Sequence, residues 1–193
     1  MQGSQTLERF ELRLSGLGGQ GVLTLGRIMG QSLALEHGYQ VAQTQSYGPE
    51  ARGGASRCDL IVSSYHISYP KTLNLDLLLA LSQEACSKYC AHLKAEGFLV
   101  VDTTLVTQTP SNIFWGLPFT QLAQEVGLTQ TTNIVALGAL THFLPFMNAS
   151  KVRKTLKEIL PQKIVEINLK AFDSGLNRAK KEYSSTGQKW KSY

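Results

Sequence analysis

Apolar positions along this chain change period several times. Leu12 to Ser15 is a short apolar strand that runs straight into Gly16. Val22, Leu25, Ile28, Met29, Leu33 and Ala34 then recur near every 3.6 residues, predicting a helix from Val22 to Glu36 that His37-Gly38 stops. Tyr39 to Gln45 alternates as a second strand. Ser46 to Gly54 reads as a loop, because Gly48, Pro49, Gly53 and Gly54 punctuate it. Further strands are expected at Cys58–Ser63, at Leu77–Leu81 after Asp76, and at Phe98–Val101 before Asp102. The continuous apolar runs suit strands buried on both faces. A helix is expected over Gln83–Lys94, an edge strand from Ile113-Phe114, and a short helix over Pro118–Val126.

The last third is helical throughout. Asn133 is the expected cap of Ile134–Phe143, and Ser150 that of Val152–Leu160. An amphipathic helix follows over Ile164–Lys180. Ser184–Tyr193 has no periodicity and reads as a loose tail beyond a single domain of residues 1–183. Strands alternating with helices predict a three-layer α/β/α fold. Its sheet is mainly parallel and Rossmann-like, with extra helices at the C-terminus.

Composition narrows the classes. A chain of 193 residues buries roughly 70% of its unfolded surface and needs neither disulfide nor metal to fold. With 42% apolar and 17% charged residues it is globular rather than disordered. No apolar stretch approaches the ~20 residues of a membrane span. The start, MQGSQTLERF, lacks the apolar region of a secretory signal. Three cysteines without a framework pattern suit a reducing cytoplasm. The net charge of +5 is uneven: residues 1–150 hold eight Lys/Arg against ten Asp/Glu, and residues 151–193 hold eleven against four. Neither basic-aromatic interleaving nor a recognition motif accompanies that basic end, so nucleic acid is not expected. A solvated helical face or an acidic partner surface accounts for it.

The candidate chemistry lies in two glycine loops. Gly16-Leu17-Gly18-Gly19-Gln20-Gly21 satisfies G-x-G-x-x-G between a predicted strand and a helix. Such a turn brings backbone close to a ligand and aims helix N–H groups at an anion. It can equally be a tight turn with no ligand. A dinucleotide site wants a carboxylate about 20 residues on. Here Val41-Ala42-Gln43-Thr44-Gln45 supplies none, and no Gly-Lys-Ser/Thr follows for a P-loop. The second loop, Ser46 to Gly54, carries Arg52, a planar donor for phosphate or carboxylate, with Gly53 and Gly54 beside it. In a parallel sheet both loops lie at carboxyl ends of strands and can share one crevice. Arg52 can otherwise pair with Glu50. Cys86 and Cys90 share a helix face but lack the partners of a four-ligand metal site, so they read as buried apolar cysteines. His37, His66, His92 and His142 are scattered. No catalytic residue and no metal ligand is assigned.

These residues resemble a known family. The runs LRLSGLGGQGVLTLGRI, QSYGPEARGGASRCDLIVS, YPK and LLLALSQEA, then Asn133–Ala139 and Asn168–Phe172, are similar to the gamma subunit of the 2-oxoacid:ferredoxin oxidoreductases. The likeness spans about residues 7 to 180. The wording Glu50-Ala51-Arg52-Gly53-Gly54 resembles the 2-oxoglutarate type, since the pyruvate type usually has two adjacent arginines there. Leu75-Asp76 departs from the usual Pro-Asp. The resemblance implies an enzyme that converts a 2-oxoacid, coenzyme A and oxidised ferredoxin to an acyl-CoA, carbon dioxide and reduced ferredoxin. It implies alpha and beta subunits and a small ferredoxin-like subunit as partners. Thiamine diphosphate, magnesium and iron–sulfur clusters are expected on those partners, and coenzyme A at this chain. The isolated chain is not expected to turn over. Gly16, Gly18, Gly19, Gln20 and Gly21 form one expected wall for coenzyme A. Ser46, Arg52, Gly53 and Gly54 form the other. A scaffold subunit that binds nothing small, and an NAD-type Rossmann oxidoreductase, are the competing readings.

Overall fold

The computed structural model describes residues 6–46, 55–110 and 114–183. The strands are β1 (Phe10–Gly16), β2 (Gln40–Ser46), β3 (Ser56–Ser63), β4 (Leu75–Ala80), β5 (Leu93–Asp102) and β6 (Trp115–Leu117). The helices are α1 (Val22–Gln31), α2 (Gln83–Tyr89), α3 (Phe119–Val126), α4 (Thr132–Phe143), α5 (Ala149–Ile159) and α6 (Gln162–Glu182). The six strands form one sheet in the order β2-β3-β1-β4-β5-β6. β1, β4, β5 and β6 run parallel, whereas β3 is antiparallel to both β1 and β2. The sheet is therefore mixed but mostly parallel, and the layered α/β expectation holds.

Alternation along β1 explains the layers. Phe10, Leu12 and Leu14 face the main core with α1, α3, α4 and α6. Leu78, Ala80, Leu99 and Val101 face the opposite way and meet Ala85, Cys86 and Tyr89 of α2. α4 is buried on nearly its whole circumference, as its unbroken apolar sequence requires. It crosses α6 at glycine on each helix: a Cβ on Gly138 would strike the Phe172 carbonyl, and one on Gly175 the Val135 carbonyl. At the sheet's far edge Trp115 stacks between Phe98 and Phe143, with centroids 4.8 and 4.5 Å away. Tyr183 Oη both accepts from Gly116 N and donates to Gly116 O at 2.9 Å, tying the end of α6 to β6.

Several boundaries differ from the periodicity. The helix from Val22 loosens after Gln31 into a π-type turn, where His37 N donates to Ser32 O at 3.1 Å. α2 ends at Tyr89 rather than Lys94, because Cys90–His92 tightens and Lys94 enters β5. Asn148, not Ser150, caps α5: its side chain accepts from the backbone N–H of Ser150 and Lys151. Thr131 rather than Asn133 precedes α4, and the Asn133 amide is spent elsewhere. Asp76 lies inside β4, buried, accepting from Glu11 N at 2.8 Å and Lys94 Nζ at 2.6 Å. The tail at 184–193 lies outside the described residues, as does Ile113.

Candidate functional site

The chain leaves β1 toward β2 and β3 on one side, and leaves β4 toward β5 and β6 on the other. The direction of winding thus reverses between β1 and β4. In open α/β sheets ligands settle outside the carboxyl ends of strands at such a point. The glycine turn, residues 16–21, sits there.

Its geometry follows from four residues. Gly19 and Gly21 have φ of +91° and +71°, a left-handed backbone that costs L-residues roughly 1–2 kcal/mol each. Gln20 closes the turn: Leu17 N donates to its Oε1 at 2.6 Å, and its Nε2 donates to Leu81 O, beyond β4, at 2.9 Å. The Gln20 amide therefore staples the two sides of the switch point together, with Oε1 and Nε2 both engaged. Asn133 Nδ2 donates to Gly21 O at 3.0 Å, so the first residues of α4 hold the turn from below. Asn133 Oδ1 is buried without a hydrogen-bond partner among the described residues. Its role was not legible in the sequence, which places it 112 residues from Gly21.

The outward surface of the turn is exposed. A Cβ on Gly18 or Gly19 would meet nothing within 4 Å among the described residues. No side chain caps α1 at Gly21, and its first turn holds no acidic residue. The helix start therefore presents N–H groups and a positive dipole end with no carboxylate in that turn to oppose an anion.

The second predicted wall is less complete. Ser46 ends β2 and pairs with Arg57 of β3, which pairs in turn with Ser15 of β1. β1 and β2 are parallel, so their carboxyl ends share one end of the sheet. β3 lies between them, however, and the two loops are not on adjacent strands. Arg52, Gly53 and Gly54 lie outside the described residues. The loop's exit is fixed at Ala55, whose N donates to Glu84 Oε1 at 3.1 Å and whose O accepts from Tyr89 Oη at 3.2 Å. Along β2 no carboxylate appears, and Glu36 is held by Lys154 Nζ at 2.9 Å. A ribose-binding acid of the dinucleotide type is thus missing among the described residues.

The cysteines and histidines sit as follows. Cys58 is fully buried, and burial pushes its thiol up to about 11. Cys86 is buried but Cys90 is only partly so, which corrects the expectation of two buried thiols. Their sulfurs are 3.5 Å apart, and the hydrogen bond from Cys90 lowers the Cys86 thiol. No group of three or more His, Cys, Asp or Glu able to hold a metal occurs among the described residues. Burial lowers His37, whose Nε2 accepts from Asn148 N at 2.8 Å, fastening α5 to the end of the α1 segment. No helix among the described residues is long and apolar enough to cross a membrane.

Fold and turn together define a Rossmann-like α/β chain with an uncapped, left-handed glycine turn at its switch point. The family model described as pyruvate ferredoxin/flavodoxin oxidoreductase matches residues 11–178, and the chain belongs to that family. It is 40% identical to the 2-oxoglutarate synthase subunit KorC of Methanocaldococcus jannaschii, covering 89% of this chain and 95% of that one. It is 39% identical to KorC of Archaeoglobus fulgidus, covering 88% of each. Among solved structures, the keto/oxoacid ferredoxin oxidoreductase gamma subunit of Geobacter sulfurreducens superposes with a TM-score of 0.81 at 40% identity, over 89% of this chain and 96% of that one. The 2-oxoglutarate:ferredoxin oxidoreductase of Magnetococcus marinus, solved with 2-oxoglutarate, coenzyme A and succinyl-CoA bound, shares the fold. Its TM-score is 0.80 at 24% identity, and this chain spans 31% of that larger one. The resemblance read from the runs along residues 7 to 180 is confirmed at the level of family and subunit type.

Proposed function

We propose that this chain is the gamma subunit of a 2-oxoglutarate:ferredoxin oxidoreductase and forms part of its coenzyme A site. The observation that carries this is the exposed, left-handed glycine turn over the uncapped start of α1 at the sheet's switch point. Coenzyme A carries a pyrophosphate and a phosphorylated ribose. Its anions suit backbone N–H groups of Gly18, Gly19 and Gly21 together with the Arg52 guanidinium. Gln20 acts by holding the turn. The orphaned Asn133 Oδ1 lies beneath the turn, where a buried water suits it better than a ligand on the outward surface. The missing ribose carboxylate is a handicap for NAD but an advantage for a phosphorylated ribose, which it would repel.

In this reading the chain contributes binding rather than bond making. Coenzyme A, when bound, supplies the thiol that accepts the acyl group. Alpha and beta subunits and a small ferredoxin-like subunit provide thiamine diphosphate, magnesium and the iron–sulfur clusters. Identity near 40% to two KorC subunits over most of their length supports 2-oxoglutarate as the oxidised acid. The scaffold reading has one observation in its favour, since Gln20 and Asn133 already lock the turn from inside.

Thermal melting of the assembled complex with coenzyme A and with NADH separates these readings. At a concentration 100 times the dissociation constant, coenzyme A should stabilise the complex by about 2.7 kcal/mol and raise its melting temperature. A rise with NADH alone would restore the dinucleotide reading, and a rise with coenzyme A that Gly18→Val in this chain leaves unchanged would leave the scaffold.

A further inference from the structure

The sheet face opposite α1 is apolar only where α2 covers it. Along β1 and β3 it carries Glu11, Arg13 and Asp59, all buried. Arg13 is 4% exposed, and its guanidinium forks onto Asp59: Nε donates to Oδ1 at 2.7 Å and Nη2 to Oδ2 at 2.8 Å. Thr72 Oγ1 donates to the same carboxylate at 2.9 Å. The remaining guanidinium nitrogen, Nη1, lies 2.6 Å from Nδ1 of His92. A guanidinium can only donate. His92 Nδ1 must therefore accept, which makes the ring neutral and leaves its proton on Nε2.

Arg13, Asp59, Thr72 and His92 line a cavity of about 510 Å³ with Arg57 and Lys71. Arg13 and Arg57 both stand over the Tyr89 ring, 4.8 and 5.9 Å from its centroid, so the tyrosine gathers two guanidinium groups. Among the described lining residues three cations thus face one carboxylate, Asp59, and Arg13 and Thr72 already occupy that carboxylate. Arg57 and Lys71 form no side-chain ion pair among the described residues. A concave cavity of this volume suits a small molecule rather than a flat macromolecular surface.

The geometry points to this cavity as a binding site for a small multivalent anion bearing phosphate or carboxylate groups, held by Arg57, Lys71 and the Nε2–H of His92. Arg13 is a positioning residue: it fixes the His92 tautomer and the floor of the cavity. None of these residues belongs to the glycine turn, so the site stands whether or not that turn binds coenzyme A. Burial, then the charges of Arg13 and Arg57, hold His92 below its ordinary value. A bound anion opposes both charges and must raise it.

The test is a nuclear magnetic resonance titration of the His92 ring in the full chain with inorganic pyrophosphate, and separately with succinate. A saturable shift and a higher His92 pKa are expected with at least one of them. Pyrophosphate alone identifies a phosphate ligand and succinate alone a carboxylate. Arg57→Gln should weaken saturation about tenfold or more, and Lys71→Gln, in an exposed segment, should weaken it without a folding penalty. Gly18→Ala should leave it unchanged, which separates this site from the glycine turn. A linear shift with both anions, or equal saturation in Arg57→Gln and Lys71→Gln, would overturn the proposal. So would a His92 already shifted in the assembled complex without added anion, since the cavity would then be a partner contact.

Discussion

Gly18 and Gly21 do different work in one turn. Gly21 is left-handed, and a Cβ there would strike the Asn133 amide. Gly21→Ala should therefore lose the Asn133 bond and add backbone strain, together about 2–4 kcal/mol. Gly18 has open space and no positive φ, so Gly18→Ala should stay within about 0.5 kcal/mol of the parent in urea unfolding. Equal stability of the two variants would contradict the described turn. Cys58 offers a pH test. Its thiol ordinarily ionises at 9.0 and in the fold is pushed up to about 11. Between those values the unfolded chain binds fewer protons than the native one, so stability is full below about 9 and falls as pH rises. The loss approaches 3 kcal/mol at about 1.4 kcal/mol per unit. Cys58→Ala should flatten that part of the profile, and an unchanged slope would assign it to other groups. At this scale the sequence was partly legible. The G-x-G-x-x-G spacing marks the turn, because its geometry is local. Asn133 under Gly21, and the Arg13–Asp59–His92 cluster, depend on pairings across the sheet that spacing does not encode.

At the scale of elements, the alternating strands and helices were readable because each buries a face with its own period. Strand order was not. The helix-free loop between β2 and β3 fits only an antiparallel pair, but nothing in the apolar alternation places β3 between β1 and β2. The same holds for caps: Asn148 and Ser150 are both good N-caps, and the choice depends on where Pro145 to Met147 delivers the chain. The α4–α6 crossing is a sharper case. Gly138 and Gly175 look like weak points in helices, yet they let two backbones touch. Gly175→Ala would push a methyl into the Val135 carbonyl, which cannot move without α4. Overpacking of this kind costs about 1–3 kcal/mol or more. A melting temperature lowered by several degrees, at unchanged helical content, is the expected result. A variant as stable as the parent would mean the helices are not in backbone contact.

For the whole molecule, one end of the sheet matters. The glycine turn, the end of β2 and the start of β3 all gather there, so both predicted loops emerge on the side where α/β subunits place ligands. The central claim is that this end binds coenzyme A and leaves the oxoacid to other subunits. Steady-state kinetics of the reconstituted complex with Gly18→Val and with Arg52→Ala tests it most directly. Gly18→Val places bulk over the turn in a position with room for it, and Arg52→Ala removes the proposed charge-assisted contact, which would be worth roughly 1.5–3 kcal/mol. Both should raise the KM for coenzyme A about tenfold to a hundredfold while the KM for 2-oxoglutarate barely moves. An unchanged KM for coenzyme A in both variants, with assembly intact, would contradict the account.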